Sequence, residues 1–152
     1  MSDDLRTTVL FRSEAFNTSE RKPYFINDGC FGDDVARWLI ARLRANGVET
    51  DSEPGQEDFG WYFRYRVEQA SYCFVLGYRP DEPIGDWIGT IERDCGLLAS
   101  MFGGRTRHIA PQSLSVIHEA LQGAPELTTV AWHRRSDFER GHEGNGAAHP
   151  TL

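Results

Sequence analysis

Between residues 61 and 92 apolar and polar side chains alternate with a period of two, and this pattern limits what the chain can fold into more than any other feature. Trp61, Phe63, Tyr65 and Val67 interleave with Tyr62, Arg64, Arg66 and Glu68. Tyr72, Phe74, Leu76 and Tyr78 repeat the pattern after a short polar turn at residues 69–71. Successive side chains of a strand point to opposite faces, so the two segments read as an antiparallel hairpin with one greasy and one wet side. A turn cluster at residues 80–85 leads into a third strand over 87–92, where Trp87, Gly89 and Ile91 alternate against Ile88, Thr90 and Glu92.

Elsewhere the period changes to that of a helix. Asp33 and Asp34 open a segment with Val35, Ala36, Leu39, Ile40 and Leu43 on one face, and Asn46-Gly47 closes it. The acids suit the positive end of the helix dipole, and Arg42 and Arg44 suit the negative end. A second helix starts at Pro111, carries Leu114, Ile117, Ala120 and Leu121 as its apolar stripe, and stops at Gly123-Ala124-Pro125. Residues 7–11 and 127–132 read as strands, and residues 96–104 as one or two helical turns. The order predicts an α+β fold: a mostly antiparallel sheet, built from a meander of three to four strands plus N- and C-terminal strands. Its two main helices pack on one face, because each strand has only one apolar side to cover. We expect residues 1–140 to form a single domain and the glycine-rich residues 141–152 to be a flexible tail.

The chain has 152 residues, 39% of them hydrophobic and 12% aromatic, which is enough material for one core. Its formal net charge of -7 argues against nucleic acid as a partner, since phosphate binding depends on clustered Lys and Arg. The longest apolar runs are too short to span a bilayer, so no membrane partner is expected. Asp3 and Asp4 stand near the start without an apolar run behind them, unlike a secretory signal, so a cytoplasmic location is the expectation. Cys30, Cys73 and Cys95 are odd in number and widely spaced, which reads as three buried, reduced thiols.

Candidate chemistry gathers around residues 49–58, which hold five carboxylates about Pro54-Gly55. Carboxylates as close as Glu57 and Asp58 could tune each other for acid/base work or hold a hard cation. Neighbours on an extended chain point to opposite sides, however, so the pair reads first as a solvated acidic turn ahead of Gly60. Acids around aromatic anchors also fit a basic protein partner, with Glu53, Glu57, Asp58 and Trp61 as the binding residues. Glu92 and Asp94, two apart, would share a strand face at about 7 Å. No signature of a nucleophile surrounds any cysteine, and His108, His118 and His133 are isolated, with His142 and His149 in the tail. Residues 102–108 resemble a glycine loop for an anion but lack the Lys-Ser/Thr ending, which leaves a flexible connection. Neither cofactor nor metal is expected. The reading is a non-catalytic protein-binding domain. The alternatives are a small-molecule enzyme using Glu57, Asp58, Glu92 or Asp94, and a ligand binder between sheet and helix.

The run Glu57-Asp58-Phe59-Gly60-Trp61, followed by the meander, Trp87, Glu92, a helix and a closing strand with Trp132, resembles small uncharacterised bacterial α+β proteins over residues 53–132. The resemblance carries no activity with it. Some small acidic α+β proteins of this size act as immunity or antitoxin factors, so an immunity-like or regulatory role is the form the binding expectation takes.

Overall fold

The computed structural model of the chain describes residues 5–93 and 109–151. Asp94, Cys95 and the segments at 96–104 and 102–108 singled out above lie outside the described residues. Among those described, the elements run β1 (Thr8–Arg12), α1 (Asp33–Ala45), β2 (Glu49–Thr50), β3 (Gly55–Glu57), β4 (Gly60–Val67), β5 (Ala70–Arg79), β6 (Asp86–Glu92), α2 (Pro111–Leu121), β7 (Thr129–His133) and a short α3 (Arg135–Glu139). The fold is α+β, with every described strand pairing antiparallel. The strands form one sheet in the order β2-β4-β5-β6-β1-β7, with β3 also pairing along β4.

The alternation decides which side of the sheet is buried. Val9, Phe11, Trp61, Phe63, Tyr65, Phe74, Leu76, Trp87, Ile91 and Trp132 all fall on one face and are buried. Against them pack the apolar stripes of both main helices, Val35, Leu39 and Leu43 from α1 and Leu114, Ile117 and Leu121 from α2, in a single core. Register keeps large side chains opposed: Phe63 pairs with Phe74 across β4 and β5, and their rings stack at 5.3 Å. Tyr65 donates its buried hydroxyl to the Ser113 carbonyl at 2.9 Å, which ties the sheet to the first turn of α2. At the far edge Trp132 donates its indole N–H to His118 Nδ1 at 3.1 Å, tying β7 to the same helix.

Several details depart from the expectations. The β4–β5 turn is Glu68-Gln69, both at positive φ (51° and 71°), with Val67 opposite Ala70. This tight turn lacks the glycine or asparagine that usually marks one, and it begins one residue before the expected 69–71. Residues 49–58 supply two short edge strands as well as a loop. Cys73 is disulfide-bonded, which corrects the reading of three reduced thiols, while Cys30 is free and buried. Disulfides persist in oxidising settings, so Cys73 gives no support to a reducing compartment. Residues 141–151 include a 3-10 turn at Glu143–Asn145. Beyond it, Ala147 and Trp132 exchange two backbone hydrogen bonds of 2.7 and 2.8 Å. No helix among the described residues is long and apolar enough to cross a membrane.

Candidate functional site

The acids that open α1 do more than offset its dipole. Asp34 accepts the Asn17 backbone N–H at 2.8 Å, and Asp33, nearly buried, accepts from Tyr24 Oη and, at 3.1 Å, from Arg37 Nη1. The loop between β1 and α1 is thereby drawn across the tip of the β3–β4 hairpin. Gln56 fixes it there by exchanging two side-chain bonds with the loop backbone, accepting from Ile26 N at 2.8 Å and donating to Tyr24 O at 2.9 Å. Asn27 donates to the Asp58 carbonyl at 3.0 Å, and Trp61 donates its indole N–H to the Cys30 carbonyl at 2.9 Å. Cys30 Sγ lies 3.7 Å from the Glu57 carbonyl oxygen, and burial pushes its thiol pKa up. A raised pKa keeps the thiol protonated, suited to packing rather than nucleophilic work.

This construction exposes apolar surface. Tyr24, Ile26 and Phe59 are 51%, 54% and 53% exposed, and all three sit where the loop meets the hairpin. Large side chains more than half exposed in one place are unusual on a monomer unless the surface meets something. Around them stand Asp28, Asp33, Glu53, Glu57 and Asp58, against which Arg21 and Arg37 provide the paired cations: Arg21 on Asp28 at 2.7 Å, Arg37 on Asp33 at 3.1 Å and on Glu53 at 2.9 Å. The Asp33 carboxylate raises the Tyr24 phenol pKa by accepting its hydrogen bond, so Tyr24 presents a neutral ring.

The residues proposed from sequence are thus partly assembled. Glu57 and Asp58 are exposed at the hairpin tip, and Glu53 reaches the same network through Arg37. Trp61 is 4% exposed and belongs to the core, where its indole pins the loop from beneath. Phe59 stands at the surface in its place. Tyr24 and Ile26 had no sequence signal, because they lie in an aperiodic loop positioned by contacts with residues about thirty positions away. Glu92 is buried in β6 and does not meet Glu57 or Asp58.

A concave region lies beside this face. A cavity of about 690 Å³ at the end of the sheet is lined by Phe16, Phe31 and Tyr78 and by Glu14, Asp81 and Glu82. Edge-to-face ring contacts connect it to the exposed patch, from Tyr24 to Phe25 (5.4 Å), Phe25 to Phe31 (5.6 Å) and Phe31 to Tyr78 (6.0 Å). Among the described residues no group of three or more His, Cys, Asp and Glu side chains is arranged to hold a metal ion. Compared with family models, with curated proteins and with solved structures, the chain finds no significant match in any of the three.

Proposed function

We propose that the chain is a non-catalytic protein-binding domain whose partner presents a basic surface, in an immunity-like or regulatory role. The observation that carries this reading is that the exposed large apolar side chains among the described residues, Tyr24, Ile26 and Phe59, belong to the loop and hairpin that also carry the exposed acids Asp28, Glu53, Glu57 and Asp58. Buried aromatics at an interface centre supply most of the affinity, and surrounding charge steers encounter and selects partners of opposite sign. The face is also held in place before binding by five side-chain to backbone hydrogen bonds, which lowers the ordering cost of association.

The test is affinity capture from the native cell, followed by titration of the captured protein, with wild type, E57K/D58K and F59A compared. One basic protein should bind the wild type, weaken as salt rises, and lose about thirtyfold in affinity with F59A, the size of a hot-spot truncation. A partner whose affinity is unchanged by both variants removes the reading. A second reading, binding of a small molecule through clustered carboxylates, is favoured only by the 690 Å³ cavity, whose aromatic lining and three acids suit an organic cation. A thermal-shift screen of cationic metabolites checks it, and absence of any stabilisation excludes it.

A further inference from the structure

A second cavity, of about 540 Å³, opens on the opposite side of the sheet from the helices. Leu10 and Ala131 give it an apolar floor, and Arg12, Arg79, Asp81, Asp86, His133 and Glu143 line its polar wall. Asp86 is almost fully buried and is spent on holding two guanidiniums: Oδ1 accepts from Arg12 Nε and Oδ2 from Arg79 Nη2, each at 2.8 Å. Both arginines stay about two-fifths exposed, and neither Nη group of Arg12 donates to any described residue. The fork of Arg79 is filled from within the chain. Glu143, in the 3-10 turn near the C-terminal end, accepts from Nη1 at 3.2 Å and from Nη2 at 2.9 Å. His133 is 3% exposed, lines the same cavity, and has a buried Nδ1 without a hydrogen-bond partner.

We infer that this cavity is a binding site for a small organic carboxylate, and that the Glu143 side chain occupies the ligand's place in the free chain. Arginine forks match carboxylates two bonds at a time, and the unpaired Nη groups of Arg12 offer further donors to the incoming group. The apolar floor of Leu10 and Ala131 takes the ligand's hydrocarbon part. The displaced Glu143 carboxylate stays on the chain within a Debye length of the cavity, so the bound carboxylate adds one negative charge that the guanidiniums of Arg12 and Arg79 must offset. Glu143 can leave at small cost to the fold: its side chain is 40% exposed, and the main-chain bonds between Ala147 and Trp132 hold the C-terminal segment without it.

The test is titration of the full chain with benzoate, followed by NMR at the arginine Nε–H groups and the amides of β7. E143A should bind benzoate at least about tenfold more tightly than wild type, the effect of removing an internal competitor held by charge-assisted bonds. Benzamide, the neutral isostere, should fail to bind, and the further change Arg79→Met should abolish binding. If the double variant does not fold, the comparison of E143A with wild type decides alone. Equal affinity of E143A and wild type, no binding by either, or equal binding of benzamide overturns the inference. Binding of inorganic phosphate without benzoate overturns the assignment to a carboxylate.

Discussion

Changing Gly60 to alanine tests how the hairpin tip is built. Gly60 has φ of +144°, and a Cβ placed on it would lie 2.2 Å from the Leu76 carbonyl oxygen and 3.3 Å from its carbon. Neither side of that clash can yield easily. Leu76 lies in β5, which is hydrogen-bonded to β4 on one side and to β6 on the other. The backbone conformation alone costs roughly 1–3 kcal/mol for a residue other than glycine. Forcing a methyl into packed backbone adds roughly 1–3 kcal/mol, so the expected total is about 4 kcal/mol. Gly47→Ala is the control: its φ is also positive, at +83°, but nothing lies within 4 Å of the added carbon. It should lose only the left-handed penalty of about 1 kcal/mol. For a chain of this length a loss of 1 kcal/mol moves Tm by about 2–4 °C, which puts the two variants roughly 6–12 °C apart. Urea unfolding followed by tryptophan fluorescence, with the linear extrapolation for each variant, measures the difference directly. Stabilities of the two variants within 1 kcal/mol of each other would refute the claim that Gly60 packs directly against the Leu76 carbonyl.

Three further outcomes follow from the same structure. Phe59→Ser should leave stability within about 0.5 kcal/mol of wild type, as an exposed site does, whereas Trp61→Ala should lose about 3–5 kcal/mol; similar losses by chemical denaturation would show that the two rings are not on opposite sides of the surface. Tyr65→Phe removes one buried hydroxyl bond and should cost about 1 kcal/mol, since Ser113 lies in a helix and its carbonyl keeps its helical acceptor role; a loss above about 3 kcal/mol would mean the hydroxyl does more than bond Ser113. Acid should destabilise the fold in two windows. Burial lowers the pKa of His118 and His133, and their neutral forms stabilise the fold above the ordinary value of 6.5 and lose that contribution as pH falls through the lowered values. Asp86 and Glu143 act the same way at lower pH. Burial works against ionised Asp86 but the bonds from Arg12 and Arg79 outweigh it, and the Arg79 bond holds Glu143 down. NMR titration of the four groups, with either histidine titrating at or above 6.5, would contradict the burial argument.

The fold was legible because its evidence is local. A period of two over residues 61–92 assigns each side chain to a face without reference to any other element, and the helical stripe of Val35, Leu39, Ile40 and Leu43 does the same for α1. What that signal cannot report is where alternation stops. Phe59, Trp61 and Phe63 share one parity, and on parity alone all three belong inside. At Gly60 the chain leaves the extended conformation, so Trp61 stays in the core while Phe59 turns outward. The same parity argues against Trp61 as a surface anchor, because it stands in one row with Phe63 and Tyr65.

The candidate sites were less legible for a different reason. Each depends on bonds between residues far apart in the chain: Gln56 with Ile26, Arg12 with Asp86, Arg79 with Glu143. No periodicity marks such pairs, since any acid could meet any base until the topology brings them together. Once the strand order is known, parity regains its use. Leu10, Arg12, Ala131 and His133 have the opposite parity to Val9, Phe11, Val130 and Trp132, and β1 lies between β6 and β7. Their side chains therefore converge on the face that α1 and α2 leave uncovered, next to Asp86 of β6. The cavity draws on Leu10, Arg12, Arg79, Ala131 and Glu143 and the hairpin face on Tyr24, Ile26, Glu57 and Phe59, so the two proposals rest on different side chains and each can be tested by variants that leave the other intact.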